Sequence, residues 1–375
     1  MNNSIRVGNL FGIPFYINVS WFLVLALVTW NYGSGLAYGF QSLTGLTPWL
    51  LGLGAALLLF SSVLAHELGH SFVAMSQGIG VRSITLFLFG GLASLERESD
   101  SPSGAFWVAI AGPAVSLALF GLLTVTNIVL PLAGPLAAIV NLLAYINLIL
   151  ATFNLIPGLP LDGGNVLKAL VWKITGNPYK GVAFASRVGQ FLGWTAIVFG
   201  VLSVLGLSEF GSIWTMLIGF FLLQNANRTA QFADVQSKLD GLTAADAIVP
   251  DSPIVPQAST LRQFADQIVL SAGKGWRKFL VTDDAGQLVG LLQLDALRDI
   301  PNSEWGNIWV RDRMEAIGNL ETIESDQPLM DVVKLLEEKQ LQSLAVTEDN
   351  GLLLGLLEKS SIRDLLQRRA SETPT

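Results

Sequence analysis

WLLGLGAALLLFSSVLAHELGHSFVAMSQ, Trp49 to Gln77, is apolar and long enough to cross about 30 Å of hydrocarbon as one helix. It nevertheless contains both histidines of the chain, His66 and His70, with Glu67 between them. Residues four apart on a helix face the same way, so the two imidazoles can grip one metal ion while Glu67 stands beside them. Zn²⁺ held by two neutral imidazoles and a carboxylate keeps a fourth position for water, lowers that water's pKa toward neutrality, and leaves the proton to an adjacent glutamate. The competing reading is a pair of histidines that merely satisfy buried polar neighbours. Phe60, Val63, Leu64, Leu68, Phe72 and Val73 surround the motif, and burying imidazole and carboxylate there without partners or a metal would cost on the order of several kcal/mol. The run therefore reads as a membrane helix carrying a hydrolytic metal site.

The composition agrees. With 51% hydrophobic residues, 14% charged residues and a mean hydropathy of +0.53, the chain is too apolar for an ordinary soluble enzyme. The absence of cysteine excludes disulfides and thiolate zinc sites, so a third metal ligand must be a carboxylate. The net charge of −7 hides a division: residues 1–230 carry six acids and eight bases, whereas the remainder carries 23 acids and 14 bases. A membrane part is followed by an acidic soluble part, and no basic face for nucleic acid appears.

Apolar runs fall near Ile17–Trp30, Trp49–Gln77, Ala105–Val125, Leu136–Leu155, Val182–Leu205 and Ile213–Leu223, giving about six spans. The polar stretch Met1–Pro14 lacks a cleavage site after an apolar core and does not read as a signal peptide. Phe11–Val19 reads equally as interfacial strand or helix. Arg6, Arg82, Arg97, Lys168, Lys173, Lys180, Arg187 and Arg228 all lie on one side if the N-terminus is cytoplasmic, which places the soluble part in the cytoplasm as well. His66 then lies within the membrane, nearer its cytoplasmic face.

Two further stretches carry chemistry. Val81–Phe89 reads as a strand and Gly90 with Gly91 as a tight bend. Since open strand edges do not survive in lipid, this hairpin lies against the helices or lines a wet cavity, either plugging the site or pairing with an unwound substrate. In NLIPGLPLDGGNVL, Asn154–Leu167, Pro157 and Pro160 interrupt the fourth helix and Asp162 follows. Asp162 is the favoured third ligand; its alternatives are a helix cap at Asp162 and a ligand at Glu96 or Glu98. Asn154 reads as a donor to a substrate carbonyl or oxyanion, or simply as a polar helix-end residue.

HELGH at His66–His70, TLFLFGG ending at Gly91, GPAVS at Gly112–Ser116 and NLIPGLPLDGG at Asn154–Gly164 together make the membrane part resemble the site-2 protease family of intramembrane metalloproteases. The resemblance implies one zinc bound by His66, His70 and Asp162, with Glu67 as general base. It further implies Asn154 assisting at the substrate or oxyanion and the Gly90, Gly91 hairpin guiding substrate. Family members cut transmembrane segments of proteins usually trimmed first by another protease, and bacterial examples often process membrane-bound anti-sigma factors. Ser116 stands where other members have asparagine, which leaves its role open.

In the soluble part, VTDDAGQLVGLLQLDALRDI from Val281 matches VTEDNGLLLGLLEKSSIRDL from Val346 at an offset of 65. This resembles a tandem pair of cystathionine β-synthase-type (CBS) domains, which often bind adenine nucleotides. Gln293, Ala296, Glu358 and Ser361 occupy the positions where nucleotide-binding members carry Thr or Ser and Asp, so ribose and phosphate contacts are not expected, and the pair reads as a homodimerisation surface at least as well as a ligand sensor. The expected architecture is a polytopic α-helical membrane protein with a small β-hairpin at the active site, residues 1–228, followed by a soluble α/β CBS pair. A linker helix covers 229–240, and the repeats cover 241–300 and 301–375. The rival from another class is a CBS-gated channel or transporter, whose intramembrane charges would mark an ion path.

Overall fold

The computed structural model describes residues 4–88, 90–270, 276–298, 300–316 and 321–372; the expected strand end Phe89 lies outside them. It separates into two compact units, Met1–Asp234 and Val235–Thr375. Among the described residues five helices are long and apolar enough to cross a membrane: α1 (Val19–Gly39), α2 (Thr47–Ser76), α3 (Pro102–Val129), α4 (Gly134–Asn154) and, after the shorter α5 (Asp162–Thr175), α6 (Pro178–Val204). The sixth expected run becomes the apolar start of α7 (Ile213–Leu239). Gln224, Asn225, Asn227 and Arg228 cut its apolar stretch short, and the expected linker helix is its continuation. Proline in the first turn of α2, α3, α4 and α6 fits these starts, where the missing N–H has no helical partner to lose.

The expected hairpin is half of a larger sheet. β1 (Ser4–Leu10) and β2 (Ile13–Asn18) form an N-terminal hairpin, and β2 pairs in parallel with β3 (Val81–Phe87), which pairs antiparallel with β4 (Gly90–Leu95). The ambiguous Phe11–Val19 stretch is thus strand through Asn18, whose side chain then caps α1 by accepting from Ser20 N–H. Gly90 and Gly91 are not the bend itself: they open β4, opposite Phe87 and Leu86. Ile13, Phe15, Ile84 and Leu86 of the sheet share one buried cluster with Phe60 and Val63 of α2, so the sheet is seated on the turns of α2 just before His66.

In the second unit the repeat is visible strand by strand. β6 (Lys278–Thr282) and β7 (Leu288–Gln293) recur as β10 (Ser343–Thr347) and β11 (Leu353–Glu358) at the offset of 65, whereas β5 (Ile254–Pro256) and α8 (Leu261–Leu270) recur as β9 (Thr322–Glu324) and α9 (Leu329–Glu338) at 68. A short β8 (Glu315–Ala316) pairs with β7, and α10 (Lys359–Glu372) closes the chain. The two cores exchange leading segments. Leu239, Leu242, Ala244 and Ala247 pack with Leu329, Val332 and Leu344, while Val310 packs with Val255, Phe264 and Phe279. The expected division at 300/301 therefore falls where each half lends a segment to the other's core. Leu280, Leu288, Ala345 and Leu353 join the two repeats in a further apolar cluster.

Candidate active site

α2 sets His66 and His70 one turn apart with ring centroids 5.0 Å from each other. Asp162 reaches them because α4 ends at Asn154 and the proline-broken segment that follows is held to α6 by a Leu159 N–H bond to the Ala185 carbonyl (3.2 Å). Asp162 is the first residue of α5 and not its cap; Leu161 occupies the cap position, and no side chain caps this helix. Its Oδ2 lies 3.1 Å from Nε2 of His66 and 3.3 Å from Nε2 of His70, and the two ring nitrogens are 3.3 Å apart. Tetrahedral zinc with bonds of about 2.0–2.1 Å holds its ligand atoms about 3.3 Å apart. The triangle matches that spacing.

The donor chemistry points the same way. Nδ1 of His70 is 2.6 Å from the Val108 carbonyl, which can only accept, so this nitrogen carries the proton and Nε2 of the neutral ring presents a lone pair. Nδ1 of His66 meets Ser116 Oγ at 3.0 Å. Two imidazole Nε2 atoms and a carboxylate oxygen thus converge on one point, where a proton would satisfy two of them at most and a divalent cation all three once both rings carry their proton on Nδ1. Gly112 of α3 keeps that point open, since a Cβ there would stand 2.2 Å from His70 Nε2 and 2.7 Å from His66 Nε2. The residues fit zinc.

Glu67 does not join the triangle. Its Oε2 accepts the Ala93 N–H of β4 at 3.1 Å, and a Cβ at Gly91 would lie 2.4 Å from its Cγ. β4 is an edge strand, so the glutamate is held by the sheet's open edge. The other expected ligand candidates are engaged elsewhere: the Glu96 carboxylate lies over Gly80, and Glu98 pairs with the buried Lys168 of α5. Asn154 is half-buried at the end of α4.

Four contributors escape a reading of the sequence by itself: Ser116, the Val108 carbonyl, Gly112 and the Ala93 N–H. GPAVS contains two of them, but only the packing of α3 on α2 reveals what they touch.

The family model described as "Peptidase family M50" matches residues 54–133 and 128–196, and the "CBS domain" model matches 310–368. The chain is 54% identical over 371 residues to sll0528 of Synechocystis sp., a protein named provisionally as a zinc metalloprotease, covering 99% of this chain and 97% of that one. It is 32% identical over 388 residues to Rip3 of Mycobacterium tuberculosis, provisionally named in the same way, covering 100% and 96%. A solved structure of the site-2 protease from Methanocaldococcus jannaschii is 29% identical, with a TM-score of 0.44, over 60% of this chain and 95% of that one.

Proposed function

Because the chain belongs to peptidase family M50, the site-2 proteases, and is a zinc metalloprotease of the membrane, we propose that it cleaves transmembrane segments of other membrane proteins and so releases a membrane-bound regulator. The observation that carries this reading is the convergence of His66 Nε2, His70 Nε2 and Asp162 Oδ2 among membrane-spanning helices, with Glu67 alongside.

In this reading His66, His70 and Asp162 would hold one zinc per chain, which would supply Lewis-acid chemistry to the scissile carbonyl and the attacking water. Glu67 takes that water's proton and returns it to the leaving amine through Oε1, which has no hydrogen bond among the described residues, while Oε2 stays bonded to Ala93. The unpaired edge of β4, starting at Gly90 and Gly91, receives an unwound substrate strand by backbone pairing, next to the base. Asn154 donates its amide to the substrate carbonyl as charge develops there. An anti-sigma factor or comparable membrane-bound regulator, previously trimmed by another protease, is the substrate class. The channel reading needs binding groups strung across the bilayer; among the described residues of the membrane unit, the groups able to hold a metal form one cluster.

The zinc-loaded full chain should cut a fusion protein with one transmembrane segment inside that segment, and chelation should stop it. An intact reporter after prolonged incubation would sink the assignment.

The N-terminus and the CBS pair are placed in the cytoplasm, because all eight bases of residues 1–230 then share one side. Reporters fused after Arg228 and near Arg97 should behave as cytoplasmic and one near Gly134 as external; an external signal after Arg228 would overturn the map. Nucleotide binding stays outside the proposal. Gln293 is hydrogen-bonded to Glu315, and Ser361 donates to the Ala247 carbonyl, so both polar groups are already engaged within the fold. Pairing of two chains through this unit fits the repeat, and light scattering giving one chain per particle would exclude it.

A further inference from the structure

Serine and threonine inside the membrane helices of this protein usually satisfy their hydroxyls on their own helix. Ser61, Ser62 and Ser71 in α2, and Thr124 and Thr126 in α3, each donate to the carbonyl four residues earlier. Ser116 departs from this habit. It is completely buried in α3, and its Oγ reaches across to Nδ1 of His66 at 3.0 Å.

Its place along α3 makes the contact more than incidental. Val108, Gly112 and Ser116 follow one another at intervals of four and so form one ridge. That ridge runs past the two histidines with a separate task at each step. Val108 accepts from His70 Nδ1, Gly112 leaves room where both Nε2 atoms converge, and Ser116 meets His66 Nδ1. Each ring is thereby held from behind by α3 while its Nε2 faces Asp162.

We propose that Ser116 is a positioning residue of the metal site. By accepting the Nδ1–H of His66, it fixes that ring's tautomer and angle so that the Nε2 lone pair faces His70 and Asp162. The proposal rests on the zinc reading. An imidazole that ligates zinc through one nitrogen and is left without a partner on the other loses both orientation and basicity, and loss of such a supporting contact typically costs about 10–100-fold in metal affinity or activity.

The test is zinc affinity of the purified full chain, measured by competition with a chromophoric chelator. Ser116→Ala should weaken zinc by about 10–100-fold. Ser116→Thr and Ser116→Val add the same bulk and differ only in the hydroxyl, so the Thr variant should bind more tightly than the Val variant even if the extra methyl crowds both. Cobalt substitution adds a spectroscopic readout: the visible bands of the four-coordinate ion should shift in the Val variant and hold in the Thr variant. Wild-type affinity in Ser116→Ala, or equal affinity in the Thr and Val variants, would overturn the role of Ser116. A wild-type chain that takes up no zinc would instead remove the metal reading on which it stands.

Discussion

Glu67→Gln should keep zinc, keep the fold and still capture substrate, while cleavage of a transmembrane reporter falls by about a hundredfold or more, the scale of a lost general base. The geometry makes this substitution clean. Glu67 stands outside the triangle of His66, His70 and Asp162, and among the described residues its side chain is held by the one hydrogen bond that Oε2 accepts from Ala93 N–H. Glutamine retains a carbonyl oxygen for that N–H and nearly the same volume against Gly91, so β4 has no reason to move. What it lacks is a site for the proton. Zinc content and reporter cleavage measured on the same preparation separate the two effects. Wild-type turnover with zinc confirmed would remove Glu67 as the base, whereas loss of zinc would mean that it supports the metal site structurally.

The HExxH spacing was legible because both histidines lie on one helix, where periodicity alone decides which side chains share a face. The CBS repeat was legible for a related reason: the strands from Leu288 and Leu353 carry the same alternation, and the offset of 65 holds for the paired strands β6/β10 and β7/β11. The N-terminal hairpin was not. β2 owes its place to parallel pairing of Phe15, Tyr16 and Ile17 with Ile84, Thr85 and Leu86, a long-range contact that no local pattern announces. Ser116 was invisible as a contact for another reason. A serine in an apolar helix ordinarily bonds its own backbone, and only the approach of α3 to α2 turns it toward His66. The interchange of Leu239–Ala247 and Val310 between the two repeat cores likewise depends on tertiary packing.

The proposed third ligand, Asp162, is where sequence and structure meet most directly, and it yields the other large effect. Asp162→Ala should abolish cleavage and remove most of the bound zinc, a loss beyond the roughly 10–100-fold expected of a mere supporting contact. Glu96→Ala should leave both near wild type. Soluble zinc peptidases with a downstream glutamate make Glu96 a fair rival on spacing, but its N–H is bonded to the Gly80 carbonyl at 2.9 Å and its carboxylate lies over Gly80 at the foot of β3. To reach the histidines it would have to leave the sheet. Removing Asp162 costs little by other routes, because it makes no capping bond and its favourable charge in the first turn of α5 contributes only about 0.3–1 kcal/mol. Zinc loss in Asp162→Ala therefore reports ligation and not a frayed helix. Asp162→Asn sharpens the point, since it keeps the size and an oxygen but loses the negative charge that balances the cation, and it should fall between wild type and Asp162→Ala in zinc affinity. Zinc retained by Asp162→Ala and lost by Glu96→Ala would transfer the ligand role to Glu96 and require β3 and β4 to open around Gly80.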